Sequence, residues 1–161
     1  MATPIDTTII NECHNRLSNN ITTANGYSCT VAKCEKARLK PFKPFHLPAV
    51  NIWCTTSNSS DGQYNLDSRT LSIYVEIHSI TRETPFIELA AELAADVVTA
   101  LSRKTTAPKV SDDSDLNLND IVDDLNYDGY DYEIGEGQAP WCAALVRLTA
   151  NYSTEKNNMY S

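Results

Sequence analysis

From Leu71 to His78 the sequence alternates with a period of two residues. Leu71, Ile73, Val75 and Ile77 fall on one side, and Ser72, Tyr74, Glu76 and His78 on the other. An extended strand whose two faces meet different surroundings has this pattern, and a helix does not. A second run, 141–152, places Cys142, Ala144, Val146, Leu148, Ala150 and Tyr152 on one face. Two long strands with one apolar face each require another layer to cover that face. The chain supplies two amphipathic helices for it. Ile9, Cys13, Leu17 and Ile21 recur every four residues in the first, with Ile10 beside them. Phe86, Leu89, Leu93, Val97 and Leu101 form the stripe of the second, where Ala90 and Ala94 permit close approach to a sheet.

Local signals set the expected boundaries. Thr3 is placed to cap the first helix, with Pro4 at its first position and Asp6 as a capping-box acid. Asn25-Gly26 ends that element. Residues 27–39 read as one exposed strand or a bent pair, and Pro41, Pro44 and Pro48 make 40–48 an extended connector. A strand over 49–56 follows, then a long polar hairpin loop over 57–68. Thr84-Pro85 opens the second helix, and Arg103 and Lys104 complement its carbonyl end. The acidic stretch 112–128 carries Leu116, Leu118, Ile121, Val122 and Leu125 and is expected to pack down in part. A short strand over 130–134, a turn over 135–140 and the closing strand complete the domain. The expected fold is therefore α+β: a mostly antiparallel sheet with two amphipathic helices on one face, one domain over 1–152 and a frayed polar tail over 153–161. By parity Trp53, Tyr74, Trp141, Ala143 and Leu145 point to the other face, which is too apolar for a fully solvated surface.

A chain of 161 residues suits one domain and buries roughly 70% of its unfolded surface. Its first residues lack the basic-then-apolar pattern of an export signal, and no apolar run approaches the ~20 residues of a membrane span. Without export, the five cysteines (Cys13, Cys29, Cys34, Cys54, Cys142) are expected to be reduced, partly buried thiols. A net charge of −8 opposes tight nucleic-acid binding. The charge is also segregated. Ten carboxylates and no base lie between Asp112 and Glu136, whereas 33–43 holds five bases against Glu35 alone. Separated blocks of opposite sign suit orientation on partners or on further copies of the chain.

Candidate chemistry is thin. Asp124-Leu125-Asn126-Tyr127-Asp128-Gly129 matches the first half of an EF-hand loop, but its twelfth position is Gly135 where a bidentate glutamate is required. A loosely held divalent cation among the carboxylates of 112–136 is the remaining metal reading. Cys29, Cys34, His46 and Cys54 are zinc-competent, at spacings that match no structural zinc module. His14, His46 and His78 are isolated in sequence, with His14 and His78 expected at the surface, so no cysteine–histidine nucleophile is indicated. No phosphate-cradling glycine loop is present. The expectation is a protein that is not an enzyme and has no cofactor.

Two windows punctuate the pattern. In Leu47-Pro48-Ala49-Val50-Asn51-Ile52-Trp53 a proline leads a strand; Asp128-Gly129-Tyr130-Asp131-Tyr132 precedes the run from Trp141 to Tyr152. Together with the alternation from Arg69 to Glu76, in this order and with an apolar helix between them, they make the chain from about Ile9 to Tyr152 resemble the phage tail terminator family. That family contains the lambda-type minor tail protein. The likeness rests on order and spacing; the loops 57–68 and 105–128, the cysteines and the polar tail are not family marks. It implies a structural virion protein, made in the host cytoplasm, that forms a six-membered ring on the head-proximal end of the tail tube. The ring ends tube polymerisation and offers the surface for the head connector or neck protein, with DNA only passing through and no membrane involved. The expected subunit interface uses Arg38, Lys40 and Lys43, Trp53, Tyr74 and Trp141, and Asp124, Asp128 and Asp131. Asp61, Tyr64 and Leu66 on the hairpin loop are the expected contacts to the tail tube protein. The alternatives are another head–tail connector or completion protein and, in a different class, a calcium- or partner-binding module.

Overall fold

The computed structural model describes residues 3–62, 64–80, 85–135 and 140–160, apart from the side chain of Thr56. The elements are α1 (Ile5–Asn20), β1 (Lys33–Lys36), β2 (Ala49–Asp61), β3 (Leu66–Ile80), α2 (Phe86–Leu101), β4 (Asp124–Gly135) and β5 (Trp141–Glu155). The five strands form one sheet in the order β1-β2-β3-β5-β4. β1 runs parallel to β2, and the remaining pairings are antiparallel. Both helices lie on one face, α1 over β1 and β2 and α2 over β5 and β4. This is the α+β arrangement that the strand and helix periodicities require.

The apolar parities meet in the core. Leu71, Ile73, Val75 and Ile77 of β3 are buried beside Cys142, Ala144, Val146, Leu148, Ala150 and Tyr152 of β5. Val75 sits directly across from Val146. Ile9, Cys13 and Leu17 of α1, with Leu93, Val97 and Leu101 of α2, close the same cluster from above. Ala90 and Ala94 are buried too, letting the α2 backbone come down onto the sheet.

Several boundaries differ from the sequence expectation. Pro4 and Pro85 occupy the cap positions rather than the first helical positions, and their carbonyls accept from the amides of Thr8 (3.1 Å) and Leu89 (3.0 Å). An extended proline backbone still offers its carbonyl, which is what a helix start needs. Thr84 lies outside the described residues. Asp6, expected as a capping-box acid, accepts the Tyr152 hydroxyl. Of 27–39 only Lys33–Lys36 is strand. The connector includes a 3-10 turn at Pro44–His46 and a cis Leu47–Pro48 bond.

Most of the expected hairpin loop over 57–68 is strand instead. β2 runs to Asp61 and β3 starts at Leu66, paired from Asp61–Asp67 onward, with a bulge between Cys54 and Thr56. Serines and asparagines suit a strand exposed on both faces, because backbone pairing needs no apolar side chain. β4 is also longer than the expected 130–134 and takes in the end of the acidic stretch. The tail expected to fray does not do so at once: β5 continues to Glu155, and Tyr160 bridges Pro4. Of the expected turn over 135–140, residues 136–139 lie outside the described residues.

The long segment between α2 and β4 is pinned to the helix ends by buried polar groups. Arg16 is fully buried on α1. It donates to the carbonyls of Leu101 (2.9 Å) and Asp115 (2.8 Å), to the Asp115 carboxylate (2.7 Å) and to Glu12 (2.9 Å). Asn20 donates to the carbonyls of Ala100 and Lys104 and accepts from the Thr106 amide. Two α1 side chains thereby satisfy carbonyls left open at the end of α2. One turn earlier on α2, buried Asp96 accepts from the Ser28 amide (2.9 Å) and from Lys109 (2.7 Å).

Candidate assembly surface

Because both α-helices sit on one face, the opposite face of the sheet is covered by neither of them. Its residues follow from the register. Glu76 of β3, Leu145 of β5 and Asp131 of β4 form one row across the strands, and His78, Ala143 and Glu133 the next. Trp53 of β2 lies across from Tyr74 of β3, and their rings stack at 5.7 Å with planes 12° apart. Both are half-buried, as is Leu145, while Ala143 is buried.

At one end the segment 37–47 folds back over this face. Phe42 meets His78 edge-on at 5.5 Å, and His78 lies against Trp141 at 5.1 Å. His78 Nε2 also approaches Glu76 at 3.2 Å, so this histidine is wedged between two rings and a carboxylate rather than standing at the surface. A Cβ built on Gly135 would fall 1.9 Å from the Trp141 indole, so only glycine fits across from that ring. A cleft of about 400 Å³ opens between Arg38 and Phe42 on one wall and Glu133 and Trp141 on the other, floored by Glu76 and His78.

At the other end the open face is a ladder of polar pairs. Asp131 holds Arg147, Thr149 donates to Asp128 (2.5 Å), Asn151 to Asp124 (2.8 Å) and Ser153 to Asp123 (2.9 Å). These bonds tie the carboxylates of β4, and Asp123 just before it, to β5. The EF-hand reading meets a geometric obstacle here, since Asp124 to Gly129 form a bulged strand and not a loop. Among the described residues no group of three metal-competent side chains converges.

The expected interface residues divide into three sets. Trp53 and Tyr74 come together, whereas Trp141 lies tilted against His78 at the other end of the face. Asp124, Asp128 and Asp131 share β4, one edge strand of the sheet. Arg38, Lys40 and Lys43 follow β1, the opposite edge strand. They differ in freedom: Arg38 is bound to Glu35 (2.5 Å) and to the Lys40 carbonyl (2.7 Å), Lys43 lies over the Phe45 ring (5.7 Å), and Lys40 is exposed. Beside them Leu39 is 98% and Phe45 74% exposed. The expected tube contacts sit at the hairpin tip, with Asp61 and Leu66 as strand ends and Tyr64 92% exposed in the turn.

Burial keeps the thiols protonated. It pushes Cys13 and Cys34 up to about 12 and Cys29 to about 11, which disfavours a free thiolate near neutrality. Cys54 and Cys142 are shifted upward by the same cause. No helix among the described residues is long and apolar enough to cross a membrane.

Two features escaped the sequence reading. The polar ladder had a faint signal in Arg147, Thr149, Asn151 and Ser153, which alternate along the outward side of β5. The buried Arg16 lies next to the stripe of Cys13 and Leu17, a position at which a charge needs a buried partner. Fold and surface together define an α+β domain with one helix-covered face, one open face and two oppositely charged edges. No protein-family model matches the chain, and no curated protein matches it.

Proposed function

We propose that this chain is a structural assembly protein of the phage tail terminator type. It forms a closed ring on the head-proximal end of the tail tube, ends tube growth and presents the joining surface for the connector. The observation that carries this reading is the separation of charge onto the two edges of one sheet. β4 bears Asp124, Asp128, Asp131 and Glu133 with no base, while β1 and the segment after it bear Lys33, Lys36, Arg38, Lys40 and Lys43 against Glu35. A ring built from one kind of subunit uses two different, complementary patches on each copy. Opposite charge at opposite edges supplies such patches and penalises like-to-like contacts.

The open face and the hairpin tip remain available for other components. Stacked Trp53 and Tyr74 with Leu145 give the open face an apolar centre suited to a protein partner. The tip, with Tyr64 exposed, is the proposed tube contact, now carried on paired strands rather than on a loop. The role is structural, without catalysis or cofactor.

The test is the mass of the assembled protein in solution. A concentration-dependent species six times the 17.8 kDa chain is expected, favoured at low salt because the edges attract by charge. A chain that remains monomeric at every concentration and salt contradicts the reading.

A further inference from the structure

The two edge strands match in direction as well as in charge. β1 runs with β2; β3 runs against it, β5 runs with it, and β4 runs against it again. Rotating one copy about an axis parallel to the strands therefore sets its β4 beside the β1 of the next copy, antiparallel and with the helix-covered faces on the same side. We infer that neighbouring copies join by backbone pairing of β4 with β1, so that the sheet continues from subunit to subunit. This rests on the ring reading above and specifies its contact.

Side chains on both faces agree with the join. On the open face Lys33, in the row of Ala49 and His78, extends the row that ends at Glu133, and Glu35 extends the row that ends at Asp131. On the helix face Cys34 extends the side occupied by Tyr130, Tyr132 and Ile134. The single carboxylate at the basic edge is already neutralised, since Glu35 is held by Lys33 (2.7 Å) and Arg38 (2.5 Å). The acidic edge keeps Glu133 exposed, with Tyr132 52% and Ile134 42% exposed alongside it. A long edge strand with exposed aromatic and aliphatic side chains is an open template for another strand. The bulge between Tyr127 and Gly129 separates 129–135 from the start of the strand as one uninterrupted stretch, which suits a short partner such as β1. The competing explanation is that the β4 charges serve only to repel other strands; it does not account for an opposite charge at the far edge.

The experiment has two arms. In wild-type protein, hydrogen exchange is followed at the amides of 130–134 that do not bond to β5, in dilute monomer and in assembled ring. Slowing of these amides in the ring is expected. Rings that leave them as fast as in the monomer overturn the strand pairing while leaving the ring reading intact; an absence of rings overturns both. In the second arm, Lys33→Glu makes one variant, and Asp131→Lys with Glu133→Lys the other. Each alone should need at least about tenfold more protein to assemble, because like charges then face each other. An equimolar mixture should recover assembly, since each altered edge then meets its complement in alternation around an even-numbered ring. Folded variants that assemble as well as wild type alone, or a mixture no better than its parts, overturn the pairing. If either variant fails to fold, the wild-type exchange pattern decides.

Discussion

Arg16 shows how a single residue can organise a segment that sequence leaves unassigned. In a helix it reads as a solvent-facing base, yet it is fully buried and gathers the end of α2, Asp115 and Glu12 around one guanidinium. The planar fork of arginine can serve several acceptors at once, which a lysine could not. Asp115 was legible only as one carboxylate in an acidic run; its partner is 99 residues away in sequence, beyond any local pattern. The buried thiols and Tyr152 give a prediction at the same scale. Cys13 and Cys34 are raised from 9.0 to about 12, Cys29 from 9.0 to about 11, and Tyr152 from 10.0 to about 12, each chiefly by burial. For Tyr152 the hydrogen bond to the Asp6 carboxylate adds to the effect. A raised pKa in the folded state means that the folded protein holds these protons longer than the unfolded chain does. Their contribution is therefore fully present below about pH 9 and is lost as pH rises towards 12. Thermal melts should be level near pH 8 and fall progressively above 9; a melting temperature unchanged to pH 11 contradicts the account.

At the scale of elements, sequence periodicity was most legible where burial is one-sided. The alternations in β3 and β5 and the stripes of α1 and α2 place their buried residues as expected, because each has one face on the core and the other face elsewhere. Legibility failed where few apolar side chains are buried. The tip of the β2–β3 hairpin and the start of β4 are held by backbone pairing and by polar pairs such as Asp124–Asn151, so their side chains carry no apolar rhythm. The candidate site was half legible for the same reason. Parity placed Trp53 and Tyr74 on the open face, while their stacking depends on the strand register and the return of 37–47 over that face on Phe42 reaching His78, 36 positions later in the sequence. The β4 bulge is an element-scale device that can be tested. Gly129 sits at φ +116°, a conformation that side-chain-bearing residues rarely adopt. Gly129→Ala should destabilise the fold by about 1–3 kcal/mol, measured by denaturant unfolding. A loss below about half a kcal/mol would show that the bulge relaxes readily.

For the whole molecule, the fold separates three surfaces that a ring at the end of a tube needs. The two edges are the contacts proposed for further copies of the chain, the open face has an apolar centre, and the hairpin tip projects Tyr64. The helices stabilise the domain from the remaining face, with their polar sides outward. Net charge contributes at this scale as well. At −8 the chain repels a passing nucleic acid, consistent with a ring through which DNA moves without adhering. The central claim is that this protein ends a growing tube, and the most direct measurement is the length of tail tubes polymerised from purified tube protein with increasing amounts of the chain. The account predicts that mean length falls as the protein is added, with one ring at one end of each tube by electron microscopy. Tubes of unchanged length, bearing no ring at either end, would contradict it.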